Sequence, residues 1–206
     1  MTIRALSDIL IELQSHIDGK DIPIKTLLGT FHERGFGFFL FLFALPAALP
    51  IPAFGLNTII ALPLLLLTAQ QALGRHTVWT PTKWQNKTIS KKHIDSFVVK
   101  ASPWIKRIEY FIRPRLSFIT QGHFSKLIGV LGFIMALAVS IPLPLTNTIP
   151  SFGIALMAMG VLMRDGLAVI TGAIIGMVWV VLLVSFVTIY GPEGFDIAKN
   201  FIKGFF

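Results

Sequence analysis

The chain has 206 residues, of which 54% are hydrophobic and only 14% are charged, and its mean hydropathy is +0.75. Soluble domains carry about 25% charged residues, so this composition excludes an ordinary soluble globule. The net charge of +8 is interpreted as charge that sets membrane topology and binds anionic lipid, and no nucleic-acid partner is expected.

Residues 1–34 form the first segment, in which charged residues interrupt every apolar run, so no cleavable signal peptide is expected. Leu6, Ile9, Leu10 and Leu13 follow helical spacing, and Ser7 is a candidate N-cap. The pattern predicts an amphipathic helix on the cytoplasmic surface of the membrane.

Residues 35–74 contain no Asp, Glu, Lys or Arg, and this tract of 40 residues is too long for one straight span. Pro46, Pro50, Pro52 and Gly55 interrupt it near the middle, which predicts a helical hairpin. A helix over residues 36–49 would be only about 21 Å long, short of the ~30 Å hydrocarbon layer. Re-entrant and fully spanning hairpins therefore both remain open.

Residues 75–126 are a basic loop that holds 11 of the 18 Lys and Arg residues. The positive-inside rule places this loop, together with the N-terminus, in the cytoplasm. Ser102 and Pro103 begin a predicted amphipathic helix that ends before Pro114 and binds anionic headgroups. Its candidate lipid-contacting residues are Trp104, Lys106, Arg107 and Arg113.

Residues 127–163 are a second charge-free tract, of 37 residues, which predicts a second hairpin. When the two tracts are superposed, the matching pairs are Pro50 with Pro142, Pro52 with Pro144, Asn57 with Asn147, and Arg75 with Arg164. The offset drifts only from 92 to 89, which indicates an internal repeat. Residues 164–190 predict one final transmembrane helix, and residues 191–206 a C-terminal tail.

Three stretches carry a resemblance to a known family: GTFHERGFGFFLFLFALPAALPIP, SPWIKRIEYFIRPRL and the closing RDGL. Together they resemble the ExoD family of bacterial inner-membrane proteins, over about residues 6–185. The most specific pieces are residues 33–36, Pro50 with Pro52, Pro114 with Arg115, and residues 164–166. The resemblance implies a link to exopolysaccharide production, but it implies no particular reaction.

The paired proline turns are the first candidate site, because short broken helices at matching places of two repeats often point their ends at a substrate or ion. The predicted path residues are Pro50, Pro52, Asn57, Pro142, Pro144 and Asn147. Other polar residues in the tracts are Thr68, Gln70, Gln71, Thr146, Thr148 and Ser151. The alternative is that the turns are ordinary extracytoplasmic loops, and that polar residues such as Gln70 and Gln71 only join helices.

A second candidate site is formed by charges at the ends of the tracts: Glu33, Arg34, Arg164 and Asp165. Glu33 and Asp165 are the acids placed to carry protons near the membrane, because burial and a neighbouring arginine shift a carboxyl pKa in opposite directions. The favoured interpretation is structural, with arginine and acid forming a salt bridge that fastens helix ends.

The expected architecture is an all-α integral membrane protein of two proline-broken hairpins, a final helix and amphipathic surface helices. No enzyme signature, metal site or cofactor motif is found in the sequence, and a homodimer is expected. One functional hypothesis is a transporter for a small solute or ion. The other is a non-transporting structural or regulatory component of the exopolysaccharide machinery.

Overall fold

The computed structural model describes residues 22–23, 33–49, 56–79, 81, 87–90, 95, 99, 103, 112–141 and 147–203. Five α-helices make up most of these residues: α1 Glu33–Ala48, α2 Leu56–Ala72, α3 His123–Ser140, α4 Thr148–Met163 and α5 Gly166–Lys203. A 3-10 helix, Ser117–Thr120, precedes α3. The helical architecture expected from the composition is therefore confirmed for the described part of the chain.

A short strand pair was not expected. Strand β1, Ile22–Pro23, runs antiparallel to strand β2, Thr88–Ile89, with Ile22 opposite Ile89. The pairing ties the N-terminal segment to the basic loop, two regions that are more than 60 residues apart in the sequence. Two-residue strands leave little alternating pattern to recognise, which is why the sequence did not predict them.

Proline sets the ends of two helices. Helix α1 ends two residues before Pro50, and α3 ends two residues before Pro142. A residue that precedes proline is pushed out of the helical region, and Ile141 accordingly has extended backbone angles, with φ −73° and ψ 120°. Pro46, by contrast, lies inside α1, which continues for two more residues.

Helices α2 and α4 end in the same way. At the end of α2, the Gly74 N–H donates to the Gln71 carbonyl and the Arg75 N–H to the Gln70 carbonyl. At the end of α4, the Arg164 N–H donates to the Val161 carbonyl and the Asp165 N–H to the Gly160 carbonyl. This is the Schellman pattern, which needs one residue in the left-handed conformation. Gly74 supplies it in the first case, with φ 78°, whereas Arg164 supplies it in the second, with φ 60°. A side chain at such a position costs about 1–2 kcal/mol.

Helix α5 starts at an aspartate cap. The Asp165 Oδ1 atom accepts hydrogen bonds from the Leu167 and Ala168 N–H groups, at 2.9 and 3.3 Å, which satisfies two donors that the first turn leaves open. Gly191, with φ 55° and ψ −147°, is not helical, so Gly166–Lys203 consists of two helical segments joined by a kink at that residue. The segment predicted as a C-terminal tail is therefore helical through Lys203.

Helix α4 lies at the centre of the bundle, and 12 of its 16 residues are buried. It packs most extensively against α1 and α5, while α2 packs mainly against α3. The two helices of each hairpin, α1 with α2 and α3 with α4, contact each other less. Each hairpin therefore packs mainly against the other hairpin.

The outer surface of the bundle is apolar. Large hydrophobic side chains are exposed along every helix, and they include Leu42, Leu66, Val130, Phe152, Ile174 and Val181. Several polar residues are instead buried inside the bundle: Thr68, Gln71, Ser125, Asn147 and Ser151. In the described part, two helices are long and apolar enough to cross a membrane, His123–Ser140 and Gly166–Gly191. This pattern suits a protein whose solvent is lipid.

Candidate functional site

The two proline-containing segments separate α1 from α2 and α3 from α4 in the sequence. Pro50, Pro52, Pro142 and Pro144 themselves are outside the described residues, so the predicted approach of the two turns stays a prediction. Asn57 is the second residue of α2, but its side chain is also outside the described set.

Asn147 and Ser151 mark the polar start of α4. Asn147 is 3% exposed, and its carbonyl accepts a hydrogen bond from the Ser151 N–H at 3.0 Å. Its side chain does not cap the helix. Ser151 is fully buried one turn later, and its Oγ atom has no hydrogen-bond partner among the described residues. A buried hydroxyl in this state costs about 1–3 kcal/mol, so it calls for an explanation other than stability.

The polar residues near the C-terminal end of α2 have structural roles. The Gln71 amide donates to the Ser125 Oγ atom at 3.2 Å and so joins α2 to α3, as expected of a residue that holds helices together. Gln70 instead accepts a hydrogen bond from the Trp79 N–H at 2.7 Å, within the loop that follows α2. Thr68 donates to the Leu64 carbonyl of its own helix.

Arg34 lies at the start of α1 and is only 6% exposed. One turn later, a Cβ atom added at Gly37 would lie 2.7 Å from the Ala158 carbonyl oxygen and 2.9 Å from the Leu162 nitrogen. The two helices therefore touch backbone to backbone here, and the start of α1 lies beside the last turn of α4. Positive charge is favourable at that helix end, where the macrodipole is negative.

The turn between α4 and α5 contains the other two charged candidates. Arg164 has the left-handed conformation already described and is partly buried, and Asp165 is 4% exposed. The Asp165 carboxylate caps α5, and no salt bridge to it is found within the described part of the chain. For Asp165, the sequence suggests either proton transfer or a salt bridge. The structure adds a third role, that of a helix cap. The side chain of Glu33 is outside the described residues.

A third segment meets this turn. The Gly166 N–H donates to the Arg115 carbonyl at 2.6 Å, and a Cβ atom at Gly166 would lie 2.6 Å from the Leu116 carbonyl oxygen. Leu116 is itself left-handed, with φ 49°. The structure therefore brings together Pro114–Arg115 and residues 164–166, two of the motifs on which the family resemblance rests. Arg34, from a third motif, lies beside the same helix end.

The comparison with known proteins decides the family. A family model described as "Exopolysaccharide synthesis, ExoD" matches residues 6–185. This chain belongs to the ExoD family. Protein ExoD of Rhizobium meliloti is 28% identical over 173 residues, which cover 82% of this chain and 72% of that protein. An uncharacterized protein of Synechocystis sp. is 34% identical over 189 residues, covering 90% and 89%. No solved structure matches.

The ExoD match extends over all five helices, up to residue 185 of α5, and the description of the family links it to exopolysaccharide synthesis. The sequence did not identify the close contacts of Gly37, Gly129 and Gly166, or the unsatisfied hydroxyl of Ser151. A spaced pair of glycines on a helix, such as Gly172 and Gly176, was the available signal for close packing.

The surface helix predicted from Pro103 to Arg113 is described only at its ends. Pro103 is helical and exposed, whereas Ile112 and Arg113, the last two residues of the predicted helix, are not helical. Arg113 is exposed to solvent. Trp104, Lys106 and Arg107 are outside the described residues, and their lipid contacts stay a prediction. Among the described residues, no cluster of His, Asp or Glu is arranged to hold a metal ion.

Proposed function

We propose that this ExoD-family chain is a multi-pass protein of the bacterial inner membrane that moves a small solute or ion in support of exopolysaccharide synthesis. Its N-terminus and basic loop are cytoplasmic, and it acts as a homodimer. The apolar outer surface and the family match support the membrane location. The basic residues of the loop support the orientation.

The helix contacts support an internal repeat of residues 35–74 and 127–163. Helix α1 packs on α4 as α3 packs on α2, which is the pattern that a twofold relation between the hairpins requires. Gly37 and Gly129 occupy equivalent positions at an offset of 92, and each meets backbone near the end of its partner helix. The two Schellman turns correspond at an offset of 90, which pairs Gly74 with Arg164 and Arg75 with Asp165. This register differs by one residue from that of the sequence alone.

The buried start of α4 is the observation that carries the proposal. The Ser151 hydroxyl and Asn147 lie inside a bundle with an apolar exterior, at the N-terminal end of α4. The free amide groups of a helix N-terminus attract a negatively charged or partially negative group. Helices α1, α2 and α4 have 16, 17 and 16 residues, or about 24–26 Å, less than the ~30 Å of hydrocarbon. Short helices that end within the bilayer beside polar groups are typical of transport sites.

The test is a substitution that should raise the stability of the protein and lower its transport activity. Ser151→Ala removes the unsatisfied hydroxyl, so the protein should become more stable by about 1–3 kcal/mol, while transport should fall. Proteoliposomes would be challenged in turn with gradients of H⁺, K⁺ and inorganic phosphate. The exopolysaccharide yield of a bacterium that carries only the variant gene gives a readout that needs no knowledge of the solute.

Thr171→Ala is the matched control, because the Thr171 hydroxyl is exposed and donates to the Leu167 carbonyl of its own helix. It should leave both flux and polymer yield unchanged. If Ser151→Ala retains normal polymer yield, and the wild-type protein conducts none of the three probes, the transport proposal is wrong.

The second candidate is the non-transporting component of the exopolysaccharide machinery. Its support is the close glycine packing around α4: a Cβ atom at Gly172 would lie 2.7 Å from both the Gly153 carbonyl oxygen and the Met157 nitrogen. Such contacts are typical of rigid structural bundles in membranes. This candidate predicts that polymer yield depends on the basic loop and is insensitive to Ser151→Ala.

A further inference from the structure

The contact between the 3-10 helix region and the α4–α5 turn concentrates backbone strain. Within the described ranges, Leu116 and Arg164 are the only non-glycine residues with positive φ. Both lie at this contact, since Leu116 touches Gly166 and Arg164 comes two residues before it. Residues held in disfavoured backbone regions cluster at functional sites, where the surrounding structure maintains them.

The comparison with the end of α2 shows that the strain at Arg164 is avoidable. The same Schellman turn is built there with Gly74, which adopts the left-handed conformation without a side-chain penalty. Glycine at position 164 would keep the turn and relieve the strain. An arginine in its place therefore points to a role for the guanidinium group.

Three arginines belong to the segments that meet at this junction. Arg34 is buried one turn before Gly37, which contacts the last turn of α4. Arg164 ends that helix, and the exposed Arg115 accepts the Gly166 hydrogen bond through its backbone carbonyl. The carboxylate at the junction, that of Asp165, accepts two backbone hydrogen bonds from α5. Arginine presents a planar fork of donors that matches the oxygens of a phosphate group.

We propose that Arg34, Arg115 and Arg164 form a site for a phosphate group, and that its source is the headgroup of an anionic membrane lipid. Leu116 and Phe118, exposed by 44% and 58%, and the exposed side chain of Leu167 flank the junction with apolar surface that suits acyl chains. A basic pocket at the cytoplasmic end of membrane helices is a recurrent headgroup site. This site is separate from the start of α4, and it does not depend on transport.

Thermal unfolding of the full chain in a nonionic detergent tests the site. The probes are short-chain phosphatidylglycerol, short-chain phosphatidylcholine and inorganic phosphate, all at constant ionic strength. Phosphatidylglycerol should raise the unfolding temperature of the wild-type protein, and phosphatidylcholine should not. Arg164→Gly should start with an equal or higher unfolding temperature than wild type, and it should bind phosphatidylglycerol at least tenfold more weakly. Arg34→Gln should weaken binding in the same direction.

The control is Arg75→Gln, which removes an exposed arginine just after the Schellman turn of α2 and should keep the full lipid response. An undiminished response in Arg164→Gly overturns the proposal, as does an equal loss in Arg75→Gln, which would indicate unspecific charge attraction. A fall in baseline stability of Arg164→Gly with an unchanged lipid response would make Arg164 purely structural. If inorganic phosphate gives the same variant-dependent shift as the lipid, the phosphate site stands and its ligand is soluble.

Discussion

Gly129 is a position where one added methyl group tests the central packing of this protein. A Cβ atom there would lie 2.6 Å from the Gln71 carbonyl carbon and would also overlap the Ala72 nitrogen, both of which are backbone atoms of α2. Backbone cannot rotate away as a side chain can, so Gly129→Ala must push α3 from α2 by more than about 1 Å to reach normal contact at ~3.5–4.0 Å. A gap of that size forfeits a quarter to a half of the local dispersion energy.

The magnitude follows from opposing terms. Overpacking costs about 1–3 kcal/mol, here at the upper end because neither helix backbone can yield. The shift also weakens the Gln71–Ser125 hydrogen bond, a contact of a kind worth ~0.6–2 kcal/mol. Alanine returns about 1 kcal/mol through its better helix propensity. We expect Gly129→Ala to lower the unfolding free energy by about 2 kcal/mol.

The assay is denaturant-induced unfolding in detergent micelles, followed by circular dichroism. Gly176→Ala is the matched control, because a Cβ atom there meets mainly the flexible side chain of Met135, which can move aside at small cost. It should be close to wild type or slightly more stable. If Gly129→Ala proves as stable as Gly176→Ala, the backbone contact between α2 and α3 is not the constraint that we describe.

Three further predictions follow from the helix ends and the turns. Asp165→Ala should lower the unfolding free energy by about 1 kcal/mol through loss of the α5 cap, while Asp165→Asn, which keeps an acceptor, should cost little, as measured by the same denaturation assay. A reporter fused near Lys91 should be cytoplasmic and one fused after Tyr190 extracytoplasmic; finding both on one side would exclude the five-span model of two hairpins and a final helix. Cysteines placed at Ala53 and Leu145, in a chain that has no others, should form a crosslink. If they do not, and both are fully accessible to bulky thiol reagents, the two proline turns do not form one site.

The positions of the helices were predictable because charge and proline determine them locally. Two charge-free tracts with central prolines form two helix pairs, and the first helix of each pair ends two residues before Pro50 or Pro142. Pro46 does not end α1, because it falls in the final turn of that helix. Pro63 was given no role in the prediction, yet it lies inside α2. Neighbouring helices and local adjustments can satisfy the backbone groups that such prolines free.

The candidate site was predictable only in part, because much of it depends on tertiary contacts and backbone angles. The sequence marks Asn147 and Ser151 as polar, but it does not show that the Ser151 hydroxyl has no partner among the described residues that surround it. The sequence likewise shows that residue 164 is a charged arginine, but it does not show that the backbone of this residue is left-handed. Asp165 could have been recognised as a cap, because it directly precedes an apolar helical run.

The preference of each hairpin for the other has a consequence for biosynthesis. Helix α1 finds its main partner, α4, only after the ribosome has added the residues from 49 to 163, which takes on the order of ten seconds at ~5–20 residues per second. Under the proposed membrane topology, Gly37, Thr68 and Gln71 of the first hairpin would face lipid or an insertion factor during that interval. The first half made alone should therefore be a substrate for membrane proteases, and co-production of the second half as a separate chain should rescue it.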